Sequence, residues 1–227
     1  MLDADFFRRW MTATAASVER EAERLTALDS PIGDADHGSN LRRGFAAVRA
    51  ALEKEPPGTP GAVLTLAGRL LISTVGGASG PLYGTLLRRT GKALGDAPEV
   101  GAEQFAEALR AGVDAVMQLG GAAPGDKTMI DALAPAVDAL GESFDAARTA
   151  AERGALATTP LQARKGRASY LGERSMGHQD PGATSAALLI AGLAEAAGGS
   201  TGAEAAAGST GAEAAGGSAG DEEADDE

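Results

Sequence analysis

The sequence has 227 residues, contains no cysteine and carries a formal net charge of −12. This length is sufficient for one good-sized domain with a hydrophobic core, and the lack of cysteine excludes disulfides and thiolate metal sites. Eight of the 32 acidic residues lie beyond residue 197, where no basic residue occurs, so the 20 basic residues nearly balance the acidic residues of the body. No basic stripe could follow a phosphate backbone, which argues against nucleic acid as the main partner.

The amino-terminal segment MLDADFFRRWM contains two aspartates and lacks the basic-then-apolar order of a signal peptide. No apolar run approaches the roughly 18 residues that are needed to span a bilayer. These features predict a cytoplasmic protein without a membrane partner.

Apolar residues recur at spacings of three and four in eight successive segments of the chain. In the first segment, for example, Phe7, Trp10 and Val18 share one helical face. The segments span residues 7–25, 41–52, 63–74, 82–89, 105–116, 130–137, 143–158 and 183–197. No segment shows a convincing strand alternation, and several connections are short. The pattern predicts an all-α domain over residues 1–197, with about eight antiparallel helices in an up-and-down barrel or bundle.

The carboxyl-terminal segment has a different composition. The octapeptide GSTGAEAA occurs at 199–206 and again at 208–215, and an acidic stretch follows it. Glycine, alanine, serine and glutamate without large apolar residues bury too little surface to offset the entropy of ordering. The composition predicts a disordered tail over residues 198–227.

Four connections are polar and rich in glycine, and they follow the first, third, fifth and seventh helices. They contain the sequences DSPIGDADHGSN, VGGASGPLYG, LGGAAPGDKTM and RKGRASYLGERSMGHQDPGATS. Alternate connections of an up-and-down bundle lie at the same end. The topology therefore predicts one composite site, built from loops at that end.

The first of these connections concentrates carboxylates. On a helix Asp34 and Asp36 would point about 200° apart, but Gly33 and Gly38 permit a turn in which the two converge with Asp29. Clustered carboxylates repel unless a cation neutralises them, and oxygen ligands favour Mg²⁺ or Ca²⁺. The twelfth position of an EF-hand counted from Asp34 would be phenylalanine, which excludes that motif. The cluster predicts Mg²⁺; the alternative is that the aspartates only cap the second helix.

The other three connections supply groups suited to phosphate. Residues 76–80, GGASG, offer unhindered N–H groups before a helix start. Residues 124–128, PGDKT, are not a P-loop, because an aspartate separates the glycine from the lysine and no strand precedes them. His37 fits a contact to substrate or phosphate, or a purely structural role. The last connection contributes Arg164, Lys165, Arg167 and Arg174. Together these groups favour a Mg²⁺–nucleotide or a Mg²⁺–phosphosugar.

Four motifs, IGDADHGSNLRRGF, GGASGPLYGT, GDKTMIDAL and GRASYLGERSMGHQDPGATS, resemble the nucleotide-binding L subunits of bacterial dihydroxyacetone kinases. The resemblance runs from about residue 6 to residue 195. It implies an eight-helix barrel that binds ADP or ATP at one end through two Mg²⁺ ions. The implied metal ligands are Asp29, Asp34 and Asp36. The implied nucleotide-binding residues are His37, Gly38, Ser39, Asn40, Ala78, Ser79, Gly120, Met129, Arg167, Asp180, Pro181 and Gly182.

The resemblance also implies a mode of action. Bound ADP is rephosphorylated by a phosphotransferase-system M subunit, ultimately from phosphoenolpyruvate, and the γ-phosphoryl group passes to dihydroxyacetone. The substrate is held covalently by a histidine of a separate K subunit, so the covalent role is not expected of His37. This chain would supply positioning and charge neutralisation. No catalytic residue is implied beyond the Mg–nucleotide site, with Arg167 as an additional cationic contact.

Two alternatives remain open at the level of the sequence. The chain could belong to an ATP-dependent dihydroxyacetone or related polyol kinase that exchanges ATP freely. It could also be a regulatory nucleotide-binding module that contacts a transcription regulator. Slow ADP release and phosphoryl flux through the bound nucleotide would favour the phosphotransferase-linked kinase over both alternatives.

Overall fold

The computed structural model describes the backbone of residues 1–208 and the side chains of residues 1–198. Within this part the chain forms eight α-helices, two short strands and one 3₁₀ helix, η1. The α-helices are α1 Ala4–Asp29, α2 His37–Lys54, α3 Pro60–Thr74, α4 Ser79–Leu94, α5 Ala102–Gly120, α6 Ile130–Ala139, α7 Phe144–Ala157 and α8 Pro181–Gly208. The other elements are β1 Leu2–Asp3, β2 Glu99–Val100 and η1 Arg167–Ser175.

The predicted all-α class and all eight predicted helical segments are confirmed. The sequence pattern did not predict the two strands, because two residues are too few to show alternation. It did not predict η1 either, since Gly172 interrupts that segment with a φ of +57°. Helix α8 continues beyond residue 197 to Gly208, in a stretch where alanine and glutamate favour helix. Residues 209–227 of the predicted tail lie outside the described residues, and the tail stays a prediction.

The helices close into a ring. Each helix packs against the next in the chain, and α1 packs against α8. At this closure Trp10 Nε1 donates a 2.8 Å hydrogen bond to the carbonyl oxygen of Leu189. The ring of Phe105 lies 5.2 Å from that of Phe7 and 5.6 Å from that of Trp10, both edge to face, which is a favourable arrangement of buried aromatic rings. The core therefore lies inside the ring and holds its first and last helices together.

The connections alternate between two ends of the barrel. The site end comprises residues 30–36, 75–78, 121–129 and 158–180, and the far end comprises residues 55–59, 95–101 and 140–143. Helix α1 begins at the far end, where β1 pairs antiparallel with β2 and Leu2 lies opposite Val100. None of the helices in the described part of the chain has the length and apolar character needed to cross a membrane.

Side chains cap three helices that begin at the far end. Asp3 Oδ1 accepts from the Phe6 N–H at 2.8 Å and so caps α1. Thr59 Oγ1 caps α3 by accepting from the Ala62 N–H at 3.3 Å, and Ser143 Oγ caps α7 by accepting from the Ala146 N–H at 2.9 Å. Each cap satisfies an N–H group that has no partner within its helix. These residues explain why the helices begin where they do.

Candidate functional site

A cavity of about 510 Å³ opens at the site end of the barrel. All four site-end junctions contribute to its walls, as the up-and-down topology predicts. Its polar lining consists mainly of Asp29, Asp34, Asp36, His37, Ser79, Lys127, Thr128, Lys165, Arg167 and Asp180. Its apolar lining includes Ile32, Leu82, Val116, Leu119, Met129 and Ile130. The cavity therefore combines clustered charge with an apolar surface that a ring system could contact.

Three carboxylates form one cluster at the wall of this cavity. Asp29, Asp34 and Asp36 each place a carboxylate oxygen within 4.8 Å of the others. Asp29 is the last residue of α1 and is buried, and its Oδ2 accepts from the backbone N–H groups of Asp36 at 3.0 Å and His37 at 3.3 Å. The carboxylate cluster is thus built around Asp29, which joins the end of α1 to the start of α2.

The backbone of the first junction is shaped to fit this cluster. A Cβ at Gly33 would lie 2.0 Å from Asp29 Oδ1, so any side chain there would displace that carboxylate. Ala35 has a φ of +59°, a left-handed conformation that non-glycine residues adopt only when their surroundings impose it. The turn at Ala35 therefore holds the carboxylates of Asp34 and Asp36 on the same side.

The donor set of the cluster fits a hard divalent cation. Carboxylate oxygens are the ligands that Mg²⁺ and Ca²⁺ prefer, and three of them within 4.8 Å repel one another until a cation is present. Arg167 Nη2 lies 2.9 Å from Asp34 Oδ2 and supplies part of this compensation. Because both side chains are substantially exposed, this ion pair contributes little to stability. Its position at the cluster matters more than its strength.

The glycine-rich loop faces the cavity with unused donors. Among the described residues, the backbone N–H groups of Gly77, Ala78 and Ser79 donate no hydrogen bond. Ala78, the N-cap residue of α4, makes no side-chain cap, and Pro81 in the first turn has no N–H group to offer. Free N–H groups and a helix N-terminus attract an anion. The loop is therefore equipped to bind phosphate oxygens.

A chain of hydrogen bonds fixes His37 between three helices. His37 Nδ1 lies 3.2 Å from Ser79 Oγ, and His37 Nε2 lies 2.9 Å from Ser185 Oγ. Ser185 Oγ in turn lies 2.6 Å from the buried hydroxyl of Tyr83. Burial lowers the pKa of His37, although the charges of Asp29 and Asp36 oppose this shift. Burial therefore favours the neutral form of His37, and the two hydrogen bonds hold its ring in one orientation at the cavity wall.

Three further ionisable groups are buried next to the cavity: Asp180, Lys127 and Tyr83. Burial raises the pKa of Asp180 to about 7, with added repulsion from Asp131 and Asp29. Its Oδ2 accepts a 2.7 Å hydrogen bond from the Ala183 N–H, in the first turn of α8. Lys127 is 1% exposed, and burial lowers its pKa. Burial also raises the pKa of Tyr83.

Most of the residues implied by the resemblance line this cavity. They are Asp29, Asp34, Asp36, His37, Ala78, Ser79, Gly120, Met129, Arg167, Asp180, Pro181 and Gly182. The remaining three, Gly38, Ser39 and Asn40, do not line it. A Cβ at Gly38 would lie 1.9 Å from the carbonyl oxygen of Ala22, so Gly38 permits close packing of α2 on α1. Ser39 Oγ donates to the Asp36 carbonyl at 2.9 Å, and Asn40 Oδ1 accepts from Arg43 at 2.7 Å.

Sequence reasoning missed several residues of the cavity. Leu82 and Leu119 line it from helix ends, where the sequence pattern assigns an apolar residue to the hydrophobic core. Tyr83 also lines it, and Ser185 of α8 hydrogen-bonds to the Tyr83 hydroxyl. No local pattern signals this contact between distant parts of the chain. Lys127 lies in the segment PGDKT, which is not a P-loop, and no other sequence pattern marks it.

The closed ring of antiparallel helices and the acidic, glycine-rich site at one end together indicate the family to which this helical domain belongs. The chain belongs to the DAK2 domain family, whose model matches residues 31–195. It is 45% identical over 198 residues to the ADP-binding subunit DhaL of the PEP-dependent dihydroxyacetone kinase of Escherichia coli K12, with 83% of this chain and 94% of that protein covered. Its relatives of this kind are subunits of a phosphotransferase.

Longer kinases contain a similar unit. The chain is 40% identical over 188 residues to the L-erythrulose 1-kinase of Mycolicibacterium smegmatis, covering 78% of this chain and 33% of that protein. The solved dihydroxyacetone kinase of C. freundii in complex with AMP-PNP and Mg²⁺ matches with a TM-score of 0.69 and 29% identity, covering 86% of this chain and 33% of that one. The chain thus spans about a third of each of these two kinases.

Proposed function

We propose that this chain is the nucleotide-binding subunit of a dihydroxyacetone kinase. It holds ADP or ATP with two Mg²⁺ ions in the site-end cavity, and a phosphoryl group passes through that nucleotide to dihydroxyacetone bound on a separate K subunit. The observation that carries the proposal is the carboxylate cluster of Asp29, Asp34 and Asp36, which shares one cavity with the free N–H groups of the glycine-rich loop. A metal-bound diphosphate satisfies both at once.

Each part of the site has a role in this proposal. The three aspartates would hold the magnesium ions, and the N–H groups of Gly77, Ala78 and Ser79 would contact phosphate oxygens. The apolar wall at Leu82, Leu119 and Met129 is suited to the flat face of a base. When bound, Mg²⁺ neutralises charge on the phosphate oxygens during transfer. The length of α1 and α2 on either side of the cluster makes the ligand positions rigid.

Arg167 is an exposed cation at this site. Its side chain is 69% exposed and pairs with Asp34 at 2.9 Å, so the guanidinium can turn from the carboxylate to an oxygen of the transferring group. A planar guanidinium is well matched to two oxygens of a phosphoryl group. We assign it the role of stabilising charge that develops on the phosphoryl oxygens.

The relatives support the partner assignments in this proposal. This chain covers 94% of the E. coli subunit, whose name describes a PEP-dependent kinase. A phosphotransferase-system M subunit is therefore the proposed phosphoryl donor, with phosphoenolpyruvate as the ultimate source. The K subunit carries the triose in this scheme. Location in the cytoplasm and contact with a transcription regulator stay predictions.

Release of the bound ligand tests the proposal directly. The protein is purified without added nucleotide, denatured, and the supernatant is analysed by chromatography for nucleotides and by elemental analysis for metals. We expect one adenine nucleotide and two Mg²⁺ per chain. If neither a nucleotide nor a divalent metal is released, and the refolded chain does not take up Mg–ADP, the proposal is wrong.

A second candidate is an ATP-dependent kinase subunit with freely exchanging ATP. It is favoured by the similarity to the L-erythrulose 1-kinase, which matches over 78% of this chain. Desalting separates the two: a cofactor-like ADP remains on the protein, whereas an exchangeable nucleotide is lost. Turnover of free ATP with a K subunit after such a loss would establish the second candidate, and phosphoryl transfer from a phosphohistidine protein to retained ADP would establish the first.

A further inference from the structure

Lys127 is buried in a cage of backbone carbonyl groups. Its Nζ donates to the carbonyl oxygens of Thr158 at 2.9 Å, Leu161 at 3.0 Å and Ser175 at 2.9 Å. The carbonyl of Thr159 lies at 3.4 Å, and that of His178 also accepts from the same ammonium group. We call these five groups the carbonyl cage. An ammonium group has three protons, so five acceptors surround it as they would a monovalent cation.

All five carbonyl groups belong to one junction. Residues 158–180 connect α7 to α8, and η1 is the only helical element that the structure describes within them. The cage collects the two ends and the middle of this segment at a single point. The carbonyls of Thr158 and Thr159 also accept from the N–H groups of Leu161 and Gly177. Within the described residues, Lys127 is the donor to the other three carbonyls, and a buried carbonyl without a donor is unfavourable. Lys127 comes from a different junction, between α5 and α6, and so joins two loops of the site end.

The last junction carries residues that the site requires. Arg167 lies within it and reaches Asp34 at 2.9 Å, and Asp180 lies at its end, beside α8. A small apolar cluster of Ile32, Ala163 and Ala168 gives the segment its own contact with the first junction. This cluster is too small to order such a long loop unaided. Two backbone N–H groups also join its ends, since Gly177 donates to the Thr159 carbonyl at 2.8 Å and Asp180 donates to Thr158 Oγ1 at 2.9 Å. The ammonium of Lys127 adds a charged group that contacts the ends and the middle of the segment at once.

The backbone at Lys127 supports a role beyond packing. Its φ is +62°, and Lys127 and Ala35 are the two non-glycine residues with positive φ in the described part of the chain. Both lie in junctions at the site end. Strain of this kind persists where the surroundings impose it, and it concentrates at functional sites. The strained conformation at Lys127 directs its side chain into the carbonyl cage.

We propose that Lys127 is a positioning residue of the nucleotide site and acts as a built-in monovalent cation. Its ammonium orders residues 158–180 and thereby holds Arg167 and Asp180 at the cavity that contains the carboxylate cluster. The inference rests on the proposed function for the identity of the ligand but not for the ordering of the loop. It has a specific consequence: removal of the ammonium leaves a carbonyl-lined space that K⁺ or NH₄⁺ can fill, because both are coordinated by carbonyl oxygens.

Chemical rescue tests this consequence without any nucleotide. Hydrogen exchange of residues 159–178 is compared for the wild type and Lys127→Ala in tetramethylammonium, potassium and ammonium chloride at one ionic strength. In tetramethylammonium chloride we expect exchange in Lys127→Ala to be about tenfold faster than in the wild type. Potassium or ammonium should restore protection, whereas the wild type should not respond to the cation. Exchange that is unchanged, or equally fast in all three salts, overturns the proposal.

Binding of Mg–ADP provides the functional readout. Lys127→Ala should bind about tenfold more weakly in tetramethylammonium chloride and recover to within about threefold in potassium or ammonium chloride. Lys54→Met, which removes an exposed lysine at the far end of α2, should bind like the wild type in every salt. Affinity in Lys127→Ala that is unchanged, or reduced without rescue, shows that Lys127 does not position the site. If the wild type itself binds no ADP, the proposed function fails, while hydrogen exchange still decides the role of Lys127.

A folding defect in Lys127→Ala would also be informative. Folding only in potassium or ammonium chloride supports the cation role. If Lys127→Ala fails to fold in every salt, Lys127→Gln provides a second case, because it keeps hydrogen-bond donors but lacks the charge. Failure of both variants in all three salts would make Lys127 a general stability residue and would overturn the proposal.

Discussion

The far end and the site end of the barrel are built from different kinds of contacts. At the far end, Asp3, Thr59 and Ser143 each cap the helix that follows, and the connections are short. At the site end, α2 and α4 begin without a cap from an N-cap side chain, and strained residues and like charges lie close together. Caps stabilise a helix, whereas clustered charges and strained turns lower stability. One end therefore contributes stability, and the other keeps polar groups available for a ligand.

This division leads to a general expectation. Substitutions of exposed site-end residues should change ligand binding with little effect on unfolding, and substitutions at the far end should do the reverse; the buried Asp180 should affect stability through its charge. Such a separation is common where function requires locally unfavourable arrangements. Four substitutions test this separation, and Asp34→Asn should have the largest effect.

Asp34→Asn should weaken binding of Mg–ADP by at least about a hundredfold, or roughly 2.8 kcal/mol. The amide keeps the size of the side chain but removes one negative charge from the carboxylate cluster. Because Asp34 is exposed, the thermal midpoint and helical content should stay close to those of the wild type. Titration calorimetry and circular dichroism measure the two quantities. Asp114→Asn, at an exposed position of α5, is the control, and unchanged nucleotide retention in Asp34→Asn would contradict the metal assignment.

Asp180 should make stability depend on pH. Its pKa is about 7 when folded and about 4 when unfolded, so the folded state binds the extra proton. Its contribution is therefore fully present below pH 4 and is lost as the pH rises through 7. Asp180→Asn removes this dependence and should be more stable than the wild type at pH 8, by on the order of 2 kcal/mol.

Denaturant unfolding of the metal-free and nucleotide-free protein at several pH values measures this difference. The Asn variant should keep the hydrogen bond from the Ala183 N–H through its remaining oxygen, so the two proteins should converge near pH 4. A constant difference between pH 4 and pH 8 would show that Asp180 is ionised throughout. Such a result would mean that burial of the Asp180 carboxylate lowers the stability of the site end less than its buried position indicates.

Gly33→Ala should weaken binding of Mg–ADP by about tenfold, because misplacing a metal ligand typically has an effect of this size. The new Cβ would lie 2.0 Å from Asp29 Oδ1 and would turn that carboxylate away from its partners. Gly58→Ala is a matched control, since a Cβ at Gly58 meets nothing within 4 Å and the residue lies in a far-end connection. Calorimetric affinities that are equal in the two variants would show that the orientation of Asp29 is unimportant.

Thr59→Ala should reduce the free energy of unfolding by about 1 kcal/mol, the usual effect of losing an N-cap. The affinity for Mg–ADP should stay within about twofold of the wild type, because Thr59 lies at the opposite end from the cavity. Urea unfolding and calorimetry together test both parts. A loss of affinity would show that the two ends are coupled through α3 and that the division between them is too simple.

Much of the fold follows from the sequence alone. The spacing of residues such as Phe7, Trp10 and Leu41 is sufficient to predict helices, because one helical face must meet the core. The alternation of glycine-rich and short connections then places the site at one end. The periodicity does not predict ring closure by α1 and α8, since contacts such as that between Trp10 and Leu189 join residues 179 positions apart.

The functional site likewise contains some residues that the sequence predicts and others that it does not. Asp29, Asp34 and Asp36 are recognisable because they lie within a few residues of a turn-forming glycine, so local spacing carries the information. Lys127 is not recognisable, because its five acceptors lie in another junction and are backbone atoms without a sequence signature. The resemblance to a family identified residues at the cavity wall, but a match of sequence does not show which residues shape the loops.

The hydrogen bond between Trp10 and the Leu189 carbonyl has a consequence for the order of folding. A chain made from its amino end exposes α1 first, and α1 cannot bury its aromatic face against α8 until nearly 180 further residues have been added. The barrel therefore closes late, and the first helix must remain free of wrong contacts until then. Trp10 is the one tryptophan of the sequence, so its fluorescence should report this last step of assembly.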